Sequence, residues 1–102
     1  MIKTGGHRVE LGEIEAALYT HTAVTEAAAI AVPDELLGSR IVAVVVASGA
    51  SERELRQHCA GVLPRYMVPH EIEFRPALPR TPTDKVDRTR ILSDTLGSAG
   101  TS

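Results

Sequence analysis

Apolar residues recur along this chain with two different periods. Leu11, Ile14 and Leu18 fall at helical spacing, with Ala17 beside them. Glu10, Glu13 and Glu15 gather near the start of that segment, where the helix macrodipole favours acids and a solvated acidic face is the plain reading. His21 to Thr25 ends it. Ahead of this helix, Met1 to Val9 reads as a short hairpin turning at Gly5-Gly6. After it, Ala27 to Val32 is a short apolar run closed by Pro33-Asp34, which favours a strand. Leu37-Gly38-Ser39 predicts a turn. Ile41 to Ala47, rich in Val and Ile, predicts the central strand.

The second half follows the same grammar. Ser51-Glu52-Arg53-Glu54 has the form of a capping box, in which the Ser51 hydroxyl and the Glu54 carboxylate each satisfy a free amide at a helix start. Leu55, Cys59, Val62 and Leu63 supply the buried face of that helix, and Pro64 stops it. Glu71 to Arg75 alternates, with Ile72 and Phe74 on one face, as in a half-exposed strand. Pro76 to Asp84 is loop-like and contains Pro76, Pro79 and Pro82. Asp87 to Leu96 predicts a last short helix, and residues 97–102 a flexible tail or linker. The fold class expected is α+β: a small, mostly antiparallel sheet flanked by two or three helices, with residues 1–96 as one domain.

Composition narrows the function. In 102 residues, 43% are hydrophobic and 24% charged, enough for a packed core. That core is aliphatic, since Tyr19, Tyr66 and Phe74 are the only aromatics. A net charge of −2 argues against a general nucleic-acid binder, which needs clustered Lys and Arg. The apolar run Ile41 to Ala47 is too short to span a bilayer, so no membrane role is expected. Met1 leads into a Lys/Gly-rich turn with no visible secretion signal, and the single Cys59 allows no internal disulfide; both favour the cytoplasm. Cys59 is expected to be a small buried side chain. His7, His21, His58 and His70 lie far apart and show no ligand pairing with Cys59, so no metal site is expected.

Two loops carry candidate chemistry. In Lys3-Thr4-Gly5-Gly6-His7-Arg8-Val9-Glu10, the paired glycines allow close backbone approach. In Pro79 to Arg88, a proline-stiffened loop presents Lys85. On composition and spacing alone, the first reads as a tight hairpin turn and the second as a loop with a solvated lysine.

Resemblance changes that reading. Ile2 to Glu15 resembles the motif that follows the interdomain hinge of adenylate-forming enzymes, the acyl-CoA synthetases and the adenylation domains of nonribosomal peptide synthetases. Leu63-Pro64-Arg65-Tyr66-Met67-Val68-Pro69 is similar to the family's LPxYMVP stretch, and Leu78 to Arg88 to its final lysine motif. Arg8-Val9-Glu10 and Val86-Asp87-Arg88 lean towards the peptide synthetases, whereas Val32-Pro33-Asp34-Glu35 with Gly38 is closer to the acyl-CoA ligases. The resemblance implies the C-terminal subdomain of an ATP-dependent carboxylic acid ligase that forms an acyl- or aminoacyl-adenylate and passes the acyl group to a thiol. It implies that Lys85 is the adenylation lysine. Gly5, Gly6, His7 and Arg8 would form the loop lining the thiol tunnel, with Glu10, Asp84 and Arg88 in support. ATP with Mg2+ would be held mainly by a large N-terminal domain of the same enzyme, and CoA or a carrier-protein phosphopantetheine would be the acceptor. The hinge would fall just before Met1, and the chain alone would be inactive, as an excised subdomain or one half of a split enzyme.

This sequence departs from the family pattern in two places. Asp84 stands where the family has Gly before the lysine, so the acid is expected either to pair with Lys85 or to alter the loop; His7 replaces the usual aromatic and keeps a flat ring. Asp84 also supports a competing reading, a non-catalytic interaction module of the same fold that docks a carrier protein or another partner.

Overall fold

A computed structural model describes the backbone of residues 2–4 and 6–100 and the side chains of residues 6–96. The elements run β1 (Ile2–Thr4), β2 (His7–Val9), α1 (Leu11–Tyr19), β3 (Val24–Asp34), β4 (Gly38–Ala47), α2 (Glu52–Val62), a 3-10 turn (Arg65–Met67), β5 (Glu71–Phe74) and α3 (Arg88–Gly100). β1 and β2 form a hairpin in which Thr4 faces His7. Gly5 itself lies outside the described residues, as do Met1, Thr101 and Ser102. The expected tail overlaps the end of α3.

The main sheet has the order β3-β4-β5, so the Val-rich strand is central, as its composition predicts. β3 and β4 pair antiparallel from Val24↔Ala47 to Asp34↔Gly38. β5 joins β4 in parallel, with Val42 opposite Glu71 and Val45 opposite Phe74. The sheet is therefore mixed. The physical reason is the α2 crossover, which returns the chain to the starting end of β4 and leaves β5 running the same way.

Side chains of period two divide the core. Ala27, Ala29, Ile41, Ala43, Val45 and Ile72 pack with Val9, Ile14, Leu18, Leu55, Cys59 and Met67. Ala28, Ile30, Val32, Val42 and Val44 pack on the opposite face with Leu78 and Ile91, joined by Val86 and Leu92. Because both faces are covered, β3 and β4 read as continuous apolar runs and not as alternation.

Three local expectations need correction. Val62 is 57% exposed, so the buried face of α2 is Leu55 and Cys59 with Leu63 partly covered. Phe74, the last residue of β5, is 42% exposed although Ile72 is buried. Only half of the capping box forms: Ser51 Oγ accepts from the Glu54 amide at 3.1 Å, while the Glu54 carboxylate turns to His21 Nε2 at 2.8 Å. The imidazole beyond the C-terminal end of α1 draws the carboxylate away from its own helix.

Candidate functional site

Lys85 follows a turn whose shape is set by its neighbours. The Asp84 amide donates to the Thr81 carbonyl at 2.8 Å, closing a four-residue turn with Pro82 in second place, where a fixed φ suits it. The Thr81 amide donates to the Lys85 carbonyl at 2.7 Å, and Arg80 bridges Val86. Such a ribbon requires a left-handed residue after the turn, normally Gly. Asp84 fills that position with φ 65° and is the only non-glycine residue with positive φ among those described. Asp and Asn reach this region more readily than other side chains. The substitution thus keeps the loop geometry. Nor does Asp84 pair with Lys85: its carboxylate lies 4.0 Å from Arg80 Nε, and Arg80 also donates to the Asp84 carbonyl and pairs with Glu26 on β3. The Lys85 side chain is exposed and takes part in no ion pair among the described residues.

The Gly6 side of the molecule is built separately. Gly6 has φ +85°, and a Cβ added there would meet nothing within 4 Å. His7 stacks on Tyr66 with ring centroids 4.3 Å apart and planes 10° from parallel, tying the hairpin to the 3-10 turn. Arg8 is exposed and its Nε lies 4.0 Å from Glu10, the limit of an ion pair. Glu10 is the extended residue before α1; its carbonyl accepts from the Glu13 amide at 3.1 Å, and its side chain does not cap the helix. Val9, fully buried, anchors the hairpin in one core cluster, whereas Leu78 and Val86 anchor the Lys85 ribbon in the other. The sheet therefore stands between the two candidate loops.

Comparison with known proteins decides the family. The description "AMP-binding enzyme C-terminal domain" matches residues 13–85. The chain belongs to that family. It is similar to sulfoacetate–CoA ligase of Cupriavidus necator, 43% identical over 91% of this chain and 19% of the ligase. It is also similar to tyrocidine synthase 2 of Brevibacillus parabrevis, 44% identical over 98% of this chain and 3% of the synthase. A fatty acyl CoA synthetase of Mycobacterium tuberculosis superposes with a TM-score of 0.88 at 36% identity, over 92% of this chain and 19% of that one. The chain thus spans about a fifth or less of the length of these relatives. The match ends at Lys85, the residue after the Thr81–Asp84 turn.

One feature of this C-terminal domain departs from the sequence expectation. Glu15 does not lie on a solvated face; it is 7% exposed. Its Oε2 accepts from the Ala29 amide of β3 at 2.8 Å and from Arg88 Nε at 2.6 Å, and its Oε1 accepts from Arg88 Nη2. The guanidinium's pKa is raised, first by this hydrogen bonding. The sequence holds the signal: Glu15 sits on the Leu11, Ile14, Leu18 stripe, where an acid must be buried and therefore paired. His21, His58 and His70 are engaged locally as well. His21 bonds Glu54, His58 Nε2 lies 2.7 Å from Thr20 Oγ1, and His70 Nδ1 accepts from the Ile41 amide at 2.9 Å.

Proposed function

We propose that this chain is the mobile C-terminal subdomain of an ATP-dependent acid–thiol ligase, with Lys85 as the cation of the adenylation step. In that step an oxygen of the substrate carboxylate attacks the α-phosphorus of ATP, the bond to the β-phosphate oxygen breaks, and pyrophosphate leaves. Two anions must approach, and negative charge builds on the phosphate. A preorganised ammonium in a water-poor cleft stabilises that charge far better than solvent does. Lys85 bridges the carboxylate and the phosphate or ribose oxygens; it is neither base nor nucleophile. The thiol of CoA or of a carrier-protein phosphopantetheine then attacks the acyl carbon and AMP departs. Gly6, with His7 and Arg8, borders the thiol's path in this second step, after the subdomain has rotated. ATP with Mg2+ and the acid are bound mainly by a large N-terminal domain of the same enzyme. A cytoplasmic setting is part of this reading, supported by a free, buried Cys59; no helix among the described residues is long and apolar enough to cross a membrane.

The observation that carries the reading is the free, exposed Lys85 ammonium beside a turn whose only acid faces Arg80. The left-handed Asp84 weighs against the non-catalytic module, because the departure that suggested it leaves the loop in the glycine conformation.

The test is single-turnover kinetics of both half-reactions in the full-length enzyme. Lys85→Ala is expected to slow adenylation about 100- to 1000-fold, the usual effect of losing one preorganised charge contact, and to leave thioester formation from supplied acyl-adenylate nearly unchanged. Gly6→Trp is expected to do the reverse, with Gly6→Ala separating the backbone effect of a positive φ from bulk. Equal losses in both half-reactions for either residue would remove it from the site.

A further inference from the structure

We infer that Glu15 and Arg88 are positioning residues that hold the Lys85 turn at a fixed place on the edge of β3. This rests on the reading of Lys85 as the adenylation cation. The Lys85 ribbon is short, with one bridge, Arg80↔Val86, between its arms, and Leu78 and Val86 seat it on the core. Its direction above that seat comes from what its two arms grip. On the incoming arm, Arg80 pairs with Glu26 of β3. On the outgoing arm, Arg88 makes a two-point contact with Glu15. Between them, the Asp87 amide donates to the Pro79 carbonyl at 2.8 Å, locking one arm to the other.

Glu15 is the fixed end of this clamp. It is nearly enclosed, it sits on α1 between the buried Ile14 and Leu18, and its Oε2 also takes the Ala29 amide. A carboxylate held on three sides cannot follow a moving partner. A planar guanidinium bound through two nitrogens resists rotation as well as translation, which an ammonium does not. Lys85 lies three residues before Arg88, so the angle of that fork is passed to the lysine by a short, doubly hydrogen-bonded stretch of backbone. The clamp also explains why the two ends of the chain's recognisable motifs, Glu15 and Arg88, are charged with opposite sign.

The experiment has two arms. In this chain, amide hydrogen exchange is followed at Asp84 and Asp87, with Val42 and Val44 of β4 as the internal reference. Arg88→Met and the milder Glu15→Gln, which keeps an oxygen for the Ala29 amide, are expected to lower protection at Asp84 and Asp87 at least tenfold and leave β4 unchanged. In the full-length enzyme, Arg88→Met is expected to lower kcat of adenylation about 10- to 100-fold, the scale of a misplacement near 1 Å, with KM for ATP little changed. Arg88→Lys should recover part of that loss, and thioester formation from supplied acyl-adenylate should not respond. Unchanged protection at Asp84 and Asp87 in both variants overturns the clamp. Lost protection with wild-type adenylation, while Lys85→Ala remains slow, overturns the positioning role and leaves the reading of Lys85 standing. Equal loss in both half-reactions marks a structural role only and overturns it too. If Lys85→Ala adenylates normally, both the reading and this inference fall, whatever the exchange result.

Discussion

At the scale of single residues, Asp84 shows how a departure from a motif is absorbed. Two effects compete there. The left-handed backbone costs an ordinary L-residue about 1–2 kcal/mol, less for aspartate. The contact to Arg80 contributes little, because the carboxylate is 89% exposed and 4.0 Å away, and exposed pairs are worth about 0–1 kcal/mol. Backbone strain therefore wins. Asp84→Gly is expected to stabilise the chain by about 0.5 kcal/mol, since glycine's freedom in the unfolded state offsets part of the relief. Asp84→Val, β-branched and without a polar handle, should destabilise it by about 1 kcal/mol or more. Urea unfolding of the three proteins checks the order Gly, Asp, Val; any other order would show that the turn does not need the left-handed conformation. Cys59 is simpler. It is fully buried, and burial pushes its thiol pKa up, so its role is packing within the core cluster that also holds Leu55 and Ile72.

At the scale of elements, α2 is held by contacts of two kinds that the sequence presents as one motif. Ser51 caps it, and Glu54 joins it to the end of α1 through His21. Ser51→Ala is expected to cost about 1 kcal/mol, the usual worth of an N-cap. A double-mutant cycle separates the two: Glu54→Ala should couple to His21→Ala by about 0.5 kcal/mol or more, and add to Ser51→Ala within about 0.3 kcal/mol. Coupling to Ser51 and not to His21 would restore the reciprocal box. Element existence was legible in the sequence because helix and strand periods are local properties: the helix stripe of Ile14 and Leu18, and the branched run from Ile41, needed no tertiary knowledge. What was not legible depends on neighbours distant in the chain. The parallel direction of β5 follows from the α2 crossover, the exposure of Val62 and Phe74 from where cover ends, and the Glu15–Arg88 pair from two segments 73 residues apart. The candidate site divided in the same way. Lys85 and Gly6 stood out through the motifs around them, whereas the carboxylate that anchors the lysine's turn did not.

At the scale of the whole molecule, the sheet separates the Gly6 hairpin from the Lys85 ribbon, so one rigid body cannot offer both loops to one point without turning. The recesses along α2 and α1 are shallow and open to the surface. The isolated chain is accordingly expected to fold cooperatively and to show no pyrophosphate exchange with any carboxylic acid; measurable exchange would sink the proposal that adenylation needs a second, larger domain. The sheet's margin has a further consequence. β3 is the longest strand, made largely of small apolar residues, and it lies at the edge, where unpaired amides invite a strand from another molecule. Two of those amides are already taken, Ala29 by Glu15 and Ala27 by the Tyr19 hydroxyl at 3.1 Å. The helix that follows the hairpin thus acts as a guard rail: with those two rungs already held from within the chain, a second copy finds a broken template along this flank of the sheet.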